Sequence, residues 1–200
     1  MLGRSHALSG AAAWLAVCAA STAVGHRPGP LAIVVGAGVT AAGALLPDID
    51  HPRSLVAGSL GPVSRLLAEG VDRAAEAIYT ATASPVDLPA RGGHRKVTHT
   101  ALFAVLVGLL VAAGVGWLAP PWAWLGLPAG LGCLVHCLGD AATHAGVPLA
   151  WPIPIAGQRW YRIGTPRALR FATGGTVEGW LVVPLLIIGG AVAGWATLAG

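Results

Sequence analysis

Lysine is almost missing from this chain: among 200 residues only Lys96 carries an ammonium group, and arginine supplies the other positive charges. Charge of either sign is scarce, at 10% of residues. An ordinary soluble domain carries roughly 25%. That shortage excludes a water-exposed globule of the usual kind. The net charge of +4 is small and dispersed, which argues against nucleic-acid binding. There are three cysteines, Cys18, Cys133 and Cys137, all in apolar stretches. Their odd number and setting give no support for a disulfide framework and suit small hydrophobic filler. No internal repeat and no low-complexity tail occurs.

What is present is apolar: 55% of residues are hydrophobic, and the mean hydropathy is +0.71. A membrane span needs roughly 20 apolar residues. Five such runs fall at about 7–25, 31–46, 98–118, 123–142 and 179–198. The expected fold is an all-α, polytopic helical bundle forming a single integral-membrane domain over 1–200. Arg4 ahead of an apolar run imitates a signal peptide. A second run follows directly after His26-Arg27-Pro28-Gly29-Pro30, so a retained helical hairpin is the better reading. Between the second and third runs, Val63, Leu66, Leu67, Val71, Ala74 and Ile78 recur at helical spacing. Arg65, Glu69, Asp72, Arg73 and Glu76 fall mainly on the other side. That pattern predicts an amphipathic interfacial helix over about 55–82. Trp117, Trp122 and Trp124 form an aromatic belt at the third turn.

Alternating spans sort the loops onto two sides. Arg4, Arg53, Arg65, Arg73, Arg91, Arg95, Lys96, Arg159, Arg162, Arg167 and Arg170 share the side of the N-terminus, against Arg27 alone opposite. The positive-inside rule then puts the N-terminus in the cytoplasm; a multi-pass protein of the inner (plasma) membrane is the expectation. The same count places His6, His51, His94, His99, His136, His144, Asp48, Asp50 and Asp140 at the cytoplasmic ends.

His136 and Asp140 are four apart near the end of an apolar helix, so they share one face. An ionised Asp there needs a cation, a partner or water. A metal ion would serve, and so would a plain His–Asp hydrogen bond locking two helices. Asp48 and Asp50 flank Ile49 in what reads as an extended turn, where alternate carboxylates point the same way. They suit a cation, or an N-cap for the next helix. His94 precedes the third span and His99 sits in its first turn, while Arg95 and Lys96 suit a phosphate or a basic juxtamembrane signal. Four separate segments thus offer His or Asp to one membrane face, as a hydrolytic metal site requires.

These motifs carry a resemblance. Leu45-Leu46-Pro47-Asp48-Ile49-Asp50-His51-Pro52-Arg53-Ser54, His94-Arg95 with Thr98-His99-Thr100, His136 with Asp140 and Thr143, and Gly146-Val147-Pro148-Leu149 with Trp151-Pro152 resemble the YdjM-like family of LexA-regulated, membrane-bound metal-dependent hydrolases. With His6 the likeness covers roughly residues 1–155. Lys96 stands where that family usually has Gly, Thr100 where it has Ser, and His144 where Pro is often seen. The resemblance implies His6, Asp48, Asp50, His51, His94, His99, His136 and Asp140 as the metal set. The expected cofactor is a divalent ion, zinc first and manganese second. Asp50, His94 and Asp140 are candidates for acid–base roles, and Arg53 and Arg95 for holding an anionic group. His136-x-x-x-Asp140 is also similar to an element of zinc-dependent phospholipase C, which points to phosphoester or lipid substrates from the bilayer. The Pro-Ser-Gly-His element of lipid-phosphate phosphatases is absent, as are the spaced aspartates of CDP-alcohol phosphotransferases. The competing expectation is a non-enzymatic metal-binding membrane protein, either a carrier or a regulatory scaffold. A carrier needs polar groups near the midplane, which the second, third and fifth spans lack.

Overall fold

The computed structural model describes residues 1–51, 54–59, 61–87 and 95–199. The elements are α1 (Gly3–Ala23), α2 (Pro30–Gly43), α3 (Leu55–Gly58), α4 (Pro62–Thr82), α5 (Ala101–Leu118), α6 (Gly126–Ala141) and α7 (Val183–Ala199). Tighter 3-10 turns at Leu46–Asp50, Val97–His99 and Pro120–Leu125 adjoin α2, α5 and α6, and a π-turn, Glu178–Val182, opens α7. Among the described residues there are only isolated β-bridges, so the protein is an all-α bundle. Five segments are long and apolar enough to cross a membrane: Gly3–Ala23, Pro30–Asp50, Ala101–Leu118, Pro120–Ala141 and Glu178–Ala199. Each overlaps one apolar run expected from sequence.

The amphipathic stretch expected over 55–82 forms as two pieces. Gly61, at φ +60°, turns the chain, and Pro62 starts α4 at its first helical position. On α4 the fully buried side is made of Ala68 and Ala75, whereas Val63, Leu66 and Leu67 stay exposed. A small-residue face on protein and a bulky apolar face outside is the layout of a helix resting in the membrane interface.

Helix α1 packs against α2, α6 and α7, while α5 packs on α6. The α2–α6 contact is the closest in consequence. A Cβ at Gly132 would lie 2.3 Å from the Thr40 carbonyl oxygen, and one at Gly43 would lie 2.5 Å from that of Ala129. The missing side chains let the last carbonyls of α2, which have no partner inside the helix, meet α6. Gly43 O accepts from Cys133 Sγ at 3.3 Å, and Ala44 O bonds His136 Nδ1 at 2.8 Å. Gly132→Leu is therefore expected to push the two helices apart. Its thermal unfolding in detergent should fall well below that of wild type, and an unchanged midpoint would contradict this packing.

Two tethers hold the polar end. Buried Glu178 accepts from the Leu2 N–H at 2.7 Å and the Gly174 N–H at 2.8 Å. Leu2 caps α1 without a side-chain cap of its own. Glu178 thus supplies from α7 the negative charge that a helix N-terminus favours, and fixes where α1 begins. The second tether joins the end of α4 to the loop over 142–177. Trp160 lies against Tyr79 and Trp151, with ring centroids 5.1 Å apart in each pair. Its indole N–H donates to Thr82, and its backbone N–H donates to Asp87 at 3.0 Å. Burial raises the Asp87 carboxyl, but hydrogen bonds from Ser84 and Trp160 outweigh it and hold the group below its ordinary value of 3.8. A lowered folded-state pKa means this tether is complete above that value and weakens as pH falls below it. Trp fluorescence of the wild type should change only as pH falls below 3.8, where the lowered Asp87 carboxyl begins to protonate, and Asp87→Asn should flatten that change.

Candidate metal centre

Four helix ends build the centre. His6 lies in the first two turns of α1, Asp48 in the turn that ends α2, His99 just ahead of α5, and His136 and Asp140 in the last two turns of α6. Helices α1 and α5 begin where α2 and α6 end, so the polar tips meet at one end of the bundle. Thr100 sets the position of His99. Its side chain caps α5 by accepting from the Phe103 N–H at 3.1 Å, and the extended backbone there turns the chain inward.

The innermost atoms are His99 Nε2, His136 Nε2, Asp48 Oδ1 and Asp140 Oδ2. The two Nε2 atoms are 3.2 Å apart. Asp48 Oδ1 stands 3.7 Å from His99 Nε2 and 3.6 Å from His136 Nε2. Asp140 Oδ2 stands 3.6 Å and 3.7 Å from the same two nitrogens. Zinc bonds of 2.0–2.2 Å in a tetrahedron require ligand–ligand edges of about 3.3–3.6 Å. These five separations bracket that range.

The protonation of His136 follows from its partner. The Ala44 carbonyl can only accept, so Nδ1 carries the proton and Nε2 presents a lone pair inward. His99 is fully buried, and burial pushes its imidazole below the ordinary value despite the opposing pull of Asp48 and Asp140. A neutral ring is the form that ligates. His6 stacks on His136 with centroids 3.7 Å apart, and its Nε2 lies 3.2 Å from Asp140 Oδ1. Neither ring nitrogen of His6 has a hydrogen bond of good geometry, although both are buried. Buried polar atoms normally find partners. Two groups of ligand-bearing residues thus converge, His6 with Asp48 and His136, and His99 with His136 and Asp140. The donor set of imidazole and carboxylate fits zinc or manganese.

Around this core lies a layer of partners. Arg95 Nε pairs with Asp140 Oδ2 at 2.8 Å, and its Nη1 donates to Thr143 Oγ1 at 2.8 Å. The Met1 amino group contacts Asp140 Oδ1. Thr98 Oγ1 stands 2.8 Å from Asp50 Oδ2 and 2.9 Å from His99 Nδ1. Lys96 pairs with Glu76 of α4, joining the interfacial helix to the centre.

Several expectations change here. The 48–50 segment is a 3-10 turn and not extended chain. At three residues per turn, positions two apart diverge. Asp48 therefore faces the imidazoles, while Asp50 turns to Thr98. Neither aspartate is a helix cap, because Ser54 takes that role for α3 by accepting from the Ala57 N–H. His51 is half-buried and joins neither ligand group. Arg95, expected to face an anion, is engaged by Asp140. His94 and Arg53 lie outside the described residues. His144 is exposed, and Cys133 and Cys137 are buried outside both ligand groups. Thr98, Glu178 and the charge role of Arg95 were missed as functional features. A hydroxyl beside a histidine, and a lone acid opening an apolar run, were the available signals.

A family model described as YdjM inner membrane protein matches residues 1–198. Among curated proteins, the chain is 36% identical over 110 residues to the inner membrane protein YdjM of Escherichia coli strain K12. The protein of the same name from Shigella flexneri gives the same figures. The matched stretch covers 54% of this chain and only 44% of each relative's length. No solved structure matches.

Proposed function

We propose that this chain, which belongs to the YdjM inner membrane protein family, is a membrane-embedded metal-dependent hydrolase of phosphoesters or other esters. The observation that carries the reading is the inward convergence of two imidazole Nε2 atoms and two carboxylate oxygens at separations of 3.2–3.7 Å. Two nitrogens so close, one with its lone pair fixed inward, are stabilised by a cation between them. His99, His136, Asp48 and Asp140 would hold a divalent ion, zinc or manganese, with His6 as a further donor. Such an ion supplies Lewis acidity to water and to an ester oxygen.

The residues supply the rest. Asp48 is the one innermost ligand with an exposed edge, its side chain being 18% exposed against 0–2% for the others. Substrate therefore meets the centre on the Asp48 side. By the positive-inside rule the centre faces the cytoplasm, in the inner membrane, with the N-terminus on that side.

Burial of the remaining ligands favours a second reading, a closed metal site in a non-enzymatic scaffold, since structural sites lack an open position. One experiment separates the two. Purified protein in lipid nanodiscs is stripped with a chelator, reloaded with zinc or manganese, and assayed on a bis-aryl phosphodiester and on short-chain lipids. Hydrolysis that vanishes on stripping and returns on reloading is the expected result. Stoichiometric metal with no turnover on any ester would leave the scaffold.

A further inference from the structure

We infer that Thr98 is a positioning residue for His99, and that Asp50 acts on the centre through Thr98 and not as a ligand. The inference rests on the metal-centre reading and adds to it how one ligand is oriented.

The geometry forms a chain of three groups. Asp50 Oδ2 lies 2.8 Å from Thr98 Oγ1, and Thr98 Oγ1 lies 2.9 Å from His99 Nδ1. All three side chains are buried, at 1%, 1% and 0% exposure. A hydroxyl has one proton to give and lone pairs to receive with. When His99 Nε2 faces a cation it must present its lone pair, so Nδ1 holds the ring proton. Nδ1 then donates to Thr98 Oγ1, and the Thr98 hydroxyl donates to the Asp50 carboxylate. With the Asp50 carboxylate ionised, this direction gives each of the three groups its partner while Nε2 faces a cation. A carboxylate at the end of such a chain raises the basicity of the ligating nitrogen and fixes the ring plane. His136 obtains the same service from the Ala44 carbonyl. The two ligands that face each other are thus oriented by different devices, one a helix-end carbonyl and the other a Thr–Asp pair.

Placement agrees with this role. The 3-10 turn over Leu46–Asp50 sends Asp48 to the imidazoles and Asp50 behind them. Asp50 belongs to neither converging ligand group, and its Oδ1 has no hydrogen-bond partner among the described residues. Thr98 Oγ1 meets Asp50 and His99, whereas Thr100 is spent on capping α5.

The test uses the full chain in nanodiscs, with zinc affinity read by competition against a chromophoric chelator. Thr98→Val is expected to weaken zinc by about 10–100-fold, the usual cost of losing a partner behind a ligand. Thr98→Ser should restore affinity to within about threefold, because the hydroxyl is kept. Asp50→Asn should weaken zinc to the same degree as Thr98→Val, and the double variant should add nothing further. Nitrogen-15 spectra of the zinc-loaded protein give a second readout: the His99 Nδ1–H should show a hydrogen-bonded shift in wild type and Thr98→Ser, and lose it in Thr98→Val. Wild-type affinity in Thr98→Val, or loss in Asp50→Asn as deep as in His136→Ala, would overturn the inference. Failure of the wild type to bind zinc or manganese would instead bring down the metal-centre reading beneath it.

Discussion

Zinc bound by the purified protein is expected to drop from about one ion per chain to none in His136→Ala, because that ring supplies a nitrogen to both converging groups. His136 has only one nitrogen to give inward, since Nδ1 is committed to the Ala44 carbonyl. Both groups must therefore share a single Nε2, and its removal disables them together. Hydrolysis should fall by more than the roughly 10–100-fold that a partner behind a ligand costs. The variant also strips the Ala44 carbonyl of its partner, which costs about 1–3 kcal/mol for a buried acceptor. Stability must then be followed beside metal content. His26→Ala is the control: that residue is exposed and lies beyond α1, at the opposite end of the bundle. Equal metal in wild type and His136→Ala would end the enzyme reading and the scaffold reading alike.

How much of this was legible beforehand depends on the physical signal each feature leaves. The spans were plain, because a run of apolar residues between Pro-rich turns has few other uses in a chain with so little charge. Sorting the turns by side then predicted that His6, Asp48, His99, His136 and Asp140 share one end, and the bundle does bring those side chains together. Orientation within that end was not legible. Asp48 and Asp50 looked equivalent, and only the tight turn separates them. Arg95 looked free to meet a substrate, yet a buried carboxylate on another helix claims it. Sequence carries the position of a charge along the chain, but the partner comes from helix packing. In the same way, the small residues of the second span, Gly43 among them, announce a close helix approach in lipid, but not which helix they meet or that Gly132 answers them. Their use is to let α2 carbonyls reach α6, which no single-helix pattern records.

Asp140→Asn is expected to be the most destabilising polar substitution in the protein, and for a reason separate from metal. The carboxylate, 2% exposed, meets Arg95, His6 and the Met1 amino group at once. Asparagine keeps the shape and removes the charge. Arg95, whose side chain is only 10% exposed, is left with a buried positive charge and no counter-ion. Breaking a buried pair in this way costs about 3–5 kcal/mol, most of it the penalty on the abandoned partner. The melting temperature of the zinc-free protein should fall accordingly. Arg95→Met alone should cost less, because His6 Nε2 still faces Asp140 at 3.2 Å. The double variant Arg95→Met, Asp140→Asn should recover part of the loss, since no unpaired guanidinium remains. Losses that simply add would show that the two groups do not interact across the bundle. Recovery in the double variant without return of zinc would separate the two duties of Asp140, one holding the helix ends together by charge and the other offering an oxygen to the centre.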